Sequence, residues 1–251
     1  MTTSAAARLV SPATDTAAFL ARAARWVPDG ASVFAGFNWP ILTVRTARRQ
    51  GRRVVEFYEA GAAITLTPQQ MPSSSTDYDS YADRMSWRGS TFDLLGMVPR
   101  LHAVLLDAAT VDLRGCVNSF GEGTTFRSAG GGGSADVAVR ARRLVLLHGG
   151  TRPERIVSRV SAVTAAPHPD AEVLLVTRWG TARLGEEPTL LELAAGAGEF
   201  AQHLHRLGVD TSGAVRSPMP SADELGAADS VLAEAGPRGY RVGRDVGRKQ
   251  V

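Results

Sequence analysis

Arg52-Arg53-Val54-Val55-Glu56-Phe57-Tyr58-Glu59-Ala60-Gly61 reads as a buried strand that runs out onto a small-residue turn, because a β-branched and aromatic run is bounded by arginines and closed by Ala60-Gly61. Working outward, Ala31 to Ala35 predicts an earlier strand, and Ile41 to Gln50, following Pro40, predicts a helix. Strand, helix, strand in that order is the unit from which parallel sheets are built. The run also delivers Glu59 to a strand end. A carboxylate there can act as a nucleophile: a tight glycine turn lets a substrate backbone approach, and attack on an acyl group divides one hard step into two easier ones. The other reading of the same residue is a solvated or helix-capping acid.

The alternation continues along the chain. Thr16 to Trp26 carries apolar residues at helical spacing, starts at Asp15/Thr16 and stops at Pro28-Asp29-Gly30. Thr91 to Met97 predicts a short helix and Leu101 to Leu106 a strand. Arg143 to His148, Glu172 to Thr177 and Thr181 to Leu184 predict strands, while Thr189 to Ala195, Glu199 to Leu207 and Ser221 to Ala235 predict helical stretches. The expected fold class is α/β: an open, mostly parallel sheet with helices on both faces. The expected organisation is one domain over residues 1–251, with residues 1–14 and 240–251 as loosely attached tails. Pro68 to Arg88 interrupts the rhythm with a polar, serine- and tyrosine-rich segment, either an insert or a loop that contributes to a site.

Composition narrows the function. The 251 residues are 44% hydrophobic, enough for a substantial core. The 28 basic and 25 acidic residues leave a net charge of only +3, and the arginine cluster Arg48, Arg49, Arg52, Arg53 has no interleaved aromatics, so nucleic acid binding is not implied. The single cysteine, Cys116, excludes an intrachain disulfide and fits a reducing compartment. No Cys/His spacing resembles a metal site, and His203 and His205, two apart on a predicted helix, point in different directions; no metal is expected. No apolar stretch has signal-peptide or membrane-spanning length, so a cytoplasmic protein without a membrane partner is expected.

A second break lies at Gly121 to Ala138, where Gly130-Gly131-Gly132-Gly133 precedes an apolar segment. Four glycines cost conformational entropy, so an ordered run exists where side chains would obstruct a close approach or where positive φ is needed. The run fits neither the dinucleotide fingerprint nor the P-loop, and no G-x-S-x-G elbow occurs. A cradle of backbone amides for a developing oxyanion and a flexible linker both remain open.

Three segments in order resemble family I coenzyme A transferases, specifically the B (beta) subunit of the glutaconate CoA-transferase group, over about Ala17 to Gly239. Tyr58-Glu59-Ala60-Gly61 looks like Y-E-S-G. Val111-Asp112-Leu113-Arg114-Gly115-Cys116-Val117-Asn118 looks like V-D-x-x-G-N-x-N, and Gly130 to Ala138 looks like G-S-G-G-x-x-D-I-A. The resemblance implies a CoA-transferase/NagB-like sandwich and an acyl-CoA:carboxylate CoA-transferase working through a glutamyl-CoA thioester on Glu59. Backbone amides of Gly131, Gly132 and Gly133 would hold the thioester oxyanion. Coenzyme A is then a substrate rather than a bound cofactor, and a separate alpha (A) subunit is implied, in a heterodimer or heterotetramer.

The match departs from the family pattern near the site. Gly36-Phe37-Asn38-Trp39-Pro40 stands for G-x-G-L-P, Leu106-Asp107-Ala108-Ala109-Thr110-Val111-Asp112 for L-G-A-A-Q-V-D, Cys116 for an asparagine, and Phe126-Arg127-Ser128 for R-L-P. Asn38, Trp39, Ala60 and Asn118 are the expected pocket residues, with Trp39 alternatively packing under the sheet. Clustered departures point to a changed acid or a changed reaction: an acyl-CoA hydrolase, a carbon–carbon bond-cleaving enzyme, or a non-catalytic partner subunit on the same scaffold.

Overall fold

The computed structural model describes residues 15–121 and 130–242. In chain order these form α1 (Thr16–Ala24), β1 (Ser32–Ala35), α2 (Trp39–Arg49), β2 (Val55–Tyr58), β3 (Ala62–Ile64), β4 (Met85–Arg88), α3 (Thr91–Met97), β5 (Ala103–Asp107), β6 (Thr110–Asp112), β7 (Val117–Asn118), α4 (Ser134–Ala138), β8 (Arg143–His148), β9 (Ile156–Val157), β10 (Glu172–Thr177), β11 (Gly180–Leu184), β12 (Thr189–Leu193), α5 (Gly198–Arg206), β13 (Val215–Arg216) and α6 (Ala222–Ala235). The sheet order is β13-β12-β11-β10-β8-β5-β1-β2-β3-β4, with β7-β6-β9 as a second, small sheet. From β10 to β2 every pairing is parallel, whereas β3, β4, β11 and β12 join antiparallel. The α/β expectation therefore holds, with antiparallel margins added to a parallel centre.

The central strands read as unbroken apolar runs because helices cover both faces. Along β5, Leu105 packs into a core with Phe19, Leu20, Ile41, Leu42 and Val231 from α1, α2 and α6. Its neighbours Val104 and Leu106 point the other way, into a core with Leu94, Val137 and Phe200. The same alternation recurs in β8, where Val145 and Leu147 face the first core and Leu144 and Leu146 the second.

One expectation is corrected. Thr189 to Ala195, predicted helical, is strand β12, paired antiparallel with β11. Its leucines suit a helix, but only seven residues separate Pro188 from a positive-φ Gly196, and the five of Thr189–Leu193 are well placed to extend the sheet along β11. The C-terminal portion ahead of the expected tail is anchored to the first core. Helix α6 starts with a capping box at Ser221 and Glu224 and packs on α1 and α2, where Arg25 makes a forked pair with Glu224 (2.9 and 3.0 Å) and Arg45 pairs with Glu234 (2.8 Å). Beyond it Tyr240 is buried, donating to the Pro72 carbonyl at 2.6 Å. Residues 1–14 and 243–251, the remainder of the expected tails, lie outside the described residues, as do residues 122–129 and with them the Phe126-Arg127-Ser128 reading. Among the described residues no helix is long and apolar enough to cross a membrane.

Candidate active site around Glu59

Strand β2 ends at Tyr58, and the chain reverses into β3 through Glu59-Ala60-Gly61, closed by Gly61 N donating to Tyr58 O at 3.0 Å. Gly61 has φ +78°, and a Cβ there would stand 2.3 Å from the Gly89 carbonyl oxygen. Only glycine fits on both counts. Gly61→Ala is therefore expected to destabilise the protein by more than ~1 kcal/mol, measured by urea unfolding, since neither the backbone sign nor the space suits the added methyl; unchanged stability would contradict this packing.

The turn points the Glu59 carboxylate at the glycine run. Oε1 accepts from the Gly133 N–H at 3.2 Å, and Oε2 accepts from Ser75 Oγ at 2.9 Å. Gly133 has no room for a side chain, since its Cβ would sit 2.5 Å from Oε1. The Thr91 hydroxyl holds the other side of the turn, donating to the Glu59 carbonyl at 3.1 Å.

Ser75 belongs to the polar segment Pro68 to Arg88, which is thus a site-building loop. The segment is anchored by Tyr81 stacking on Tyr58 (centroids 4.4 Å apart, planes within 6°). Asp77 ties it internally, accepting from Ser73 N, Ser73 Oγ and Ser80 Oγ at 2.6–2.8 Å. Those hydrogen bonds hold its carboxyl down at about 2, so it remains a structural anion across the working pH range.

Glu59, Ser75, Gly130, Gly131, Gly132 and Gly133 line a cavity of about 300 Å³ together with Phe34, Phe37, Asn38, Asp107 and Arg241. It lies at the C-terminal ends of β1, β2 and β5, where open parallel sheets hold ligands. Asn38 is 3% exposed and adopts φ +70°, the only non-glycine among the described residues with positive φ. Two bonds fix its amide. The Arg241 N–H can only donate, so the atom 3.1 Å away is the amide oxygen, and the opposite nitrogen donates to Asp107 Oδ2 at 3.0 Å. Burial pushes the Asp107 carboxyl up to about 6, against the opposing pull of the Asn38 hydrogen bond and the Arg241 charge.

Trp39, Asn118 and Ala60 do not line this cavity. Trp39 is core: 4% exposed, edge-on to Phe19 at 5.2 Å, with its ring laid over Gly149. Its edge meets a smaller adjoining cavity that also includes Asp107, Asn118 and His148. Asn118 shapes a turn there, accepting from Phe120 N and Gly121 N and donating to Gly121 O and Ser161 Oγ. Asp112 does similar work one turn earlier, its carboxylate accepting from Arg114 N, Cys116 N and Val160 N. Burial pushes the half-buried Cys116 thiol up, away from thiolate chemistry. Ala60 packs against the first core. His203 leans on the Ile156 carbonyl at 2.9 Å, apart from any His/Cys/Asp/Glu cluster.

Asp107, Ser75 and Arg241 were not singled out in the sequence. The first had a signal, as a charged residue where the resembled motif carries glycine; Arg241 had none.

No protein-family model matches the sequence, and no curated protein matches it. Solved structures do. The decarboxylase AibA/AibB matches at 24% identity with a TM-score of 0.71, covering 92% of this chain and 97% of that one. Glutaconate coenzyme A-transferase from Acidaminococcus fermentans matches at 18% identity with a TM-score of 0.69, covering 84% and 92%. An acyl-CoA transferase from E. coli O157:H7, YdiF, in a thioester complex with CoA, matches at 16% identity with a TM-score of 0.54, covering 73% of this chain and 37% of that one. The fold is coenzyme A transferase-like. On that scaffold the matched structures carry both transferase and decarboxylase names.

Proposed function

We propose that this chain is the Glu59-bearing subunit of a heteromeric enzyme that transfers coenzyme A between carboxylic acids. The observation that supports it is the seating of the Glu59 carboxylate in a cavity against the Gly133 N–H, on a fold shared with enzymes of that name. In the reaction the Glu59 carboxylate attacks the thioester carbonyl; the C–S bond breaks, the thiolate leaves, and a mixed anhydride forms. The thiolate then attacks the Glu59 carbonyl, releasing the first acid and leaving a glutamyl-CoA thioester for the second acid to take up. Main-chain N–H groups of Gly131, Gly132 and Gly133 stabilise the tetrahedral oxyanions of both steps, and such donors are worth several kcal/mol each in acyl transfer. Ser75 orients the carboxylate. The partner is a second subunit: AibA/AibB is by its name a two-component enzyme, and a cavity of this size takes an acyl group with the rest of the thioester lying elsewhere.

The test is covalent trapping. The chain co-purified with its partner subunit, incubated with a panel of acyl-CoA thioesters and then borohydride, is expected to carry a reduced Glu59 side chain by peptide mass mapping, absent in Glu59→Gln. Turnover with an unmodified Glu59 would end the proposal. A second reading, carbon–carbon bond cleavage, is favoured by one observation, the additional carboxyl of Asp107 in the same cavity. Carbon dioxide or another carbon–carbon cleavage product formed without any acceptor acid would select it, whereas free CoA alone would mark thioester hydrolysis.

A further inference from the structure

We infer that Asp107 is a second functional carboxyl of this cavity, one that in its protonated form donates a hydrogen bond to the carboxylate of the acid bound beside Glu59 and in its ionised form repels it. The inference rests on the reading of this cavity as the substrate site, and it adds the group that recognises the acid.

The argument starts from what Asp107 does not do. Two other aspartates among the described residues are saturated by local donors: Asp112 accepts three backbone N–H groups and Asp77 a backbone N–H and two hydroxyls. Each thereby shapes its own loop. Asp107 caps no helix; its one side-chain partner is Asn38, with the Ala108 N–H beside it. A carboxyl placed in a cavity with so few donors is held for a ligand or a proton.

The way it is held points in the same direction. Asn38 is kept at φ +70° and ψ −118°, a strained backbone position for a residue with a Cβ. What it obtains there is a bridge from the Arg241 backbone to Asp107 Oδ2. The bridge fixes one carboxyl oxygen and leaves the proton to the other.

The charges around it decide the ligand. Glu59 shares the cavity, so an entering acid anion meets one carboxylate already. Arg241, on the cavity wall, supplies one cation. The adjoining smaller cavity, whose wall Asp107 shares, is lined by His148, Arg152 and Arg155; burial lowers the His148 pKa, so its ring is neutral near pH 7, and its Nδ1 faces the Ala108 carbonyl at 2.8 Å. With Asp107 protonated, the cavity offers a carboxylate an O–H donor and a guanidinium. With Asp107 ionised, the anions outnumber the cations in the cavity itself. The ligand class is therefore a carboxylic acid, and its binding weakens as pH rises through the range near 6 to which burial raises Asp107.

The probe is butyrate, titrated into the full-length chain with the methyl resonances of Leu106 and Ala109, both on the cavity wall, followed by NMR. Protonation fractions about a pKa near 6 predict a Kd roughly 25-fold weaker at about pH 7.5 than at about pH 5.5. Asp107→Asn, which donates at every pH, is expected to bind equally at both. Arg241→Gln should weaken binding at both pH values and move the pH dependence upward, since the Arg241 charge pulls the Asp107 carboxyl down. Equal Kd values in the unsubstituted protein, a persistent ratio in Asp107→Asn, or no methyl shift at the lower pH would each overturn the inference. The readout is binding, so a failure to trap an adduct on Glu59 and a failure here are told apart.

Discussion

Gly133→Ala is expected to lower turnover by about 10²-fold or more while leaving the folded state as stable as before, measured as CoA exchange by the co-purified complex alongside urea unfolding of the variant. The backbone tolerates the change: Gly133 has φ −75°, an ordinary conformation for alanine. The carboxylate does not. The new Cβ would stand 2.5 Å from Glu59 Oε1, well inside contact distance, so the side chain must swing away from the N–H that orients it. Ser75 would then hold Oε2 alone, or lose it. Gly132→Ala supplies the contrast, because nothing lies within 4 Å of its Cβ but its φ is +53°; there the expected loss is about 1 kcal/mol of local stability rather than displacement of Glu59. If Glu59 were only a solvated acid after a strand, Gly133→Ala would leave turnover unchanged, and that result would remove Glu59 from the chemistry.

The contact between Glu59 and Gly133 spans 74 positions, yet both ends were legible in the sequence, each for a local reason. A β-branched strand that ends in a carboxylate and a glycine, and a four-glycine run before an apolar segment, are conspicuous without knowledge of what they meet. The parallel centre of the sheet was equally readable, because strands buried on both faces must be apolar throughout. What was not legible is non-local. Ser75 reaches Glu59 only because Tyr81 stacks on Tyr58, and nothing in a serine-rich run announces which of its hydroxyls is ordered. The two- and three-residue strands β6, β7 and β9 exist through their partners alone. Strand β12 was misread because leucine and glutamate favour a helix until a sheet edge is offered to them.

Asn38 and Asp107 occupy an intermediate position. Each stands where the resembled motifs carry glycine, and each is visible in the sequence as an isolated mismatch. The structure joins them across 69 positions by one hydrogen bond, with Arg241 holding the other end of the amide. Two substitutions that look independent in the sequence are thus a single hydrogen-bonded device in the cavity that holds Glu59. That pairing concentrates the chain's difference from the resembled pattern on how the cavity handles a proton or an acid, rather than on Glu59 itself.

The same device carries a cost in stability that can be measured without knowing the substrate. Asp107 has a carboxyl near 6 in the folded chain, against 3.8 for the unperturbed group. The native state therefore holds the proton more tightly than the unfolded state, so stability is fully present below about pH 3.8 and is lost as pH rises through about 6. A difference of about two pH units corresponds to at most ~3 kcal/mol, the penalty of keeping an ionised carboxylate in the cavity above neutrality. Asp107→Asn removes that penalty. Its amide oxygen can still accept from Asn38 Nδ2, and it carries no charge to desolvate. Urea unfolding at about pH 7.5 is expected to find this variant more stable by up to ~3 kcal/mol, with the gap closing as pH falls towards about 4. A variant less stable than the parent above neutral pH would mean that the ionised Asp107 is a favourable partner for Arg241, and the carboxyl would then be structural. The predicted sign follows from burial, which favours the neutral Asp107 carboxyl in the cavity over the charged one.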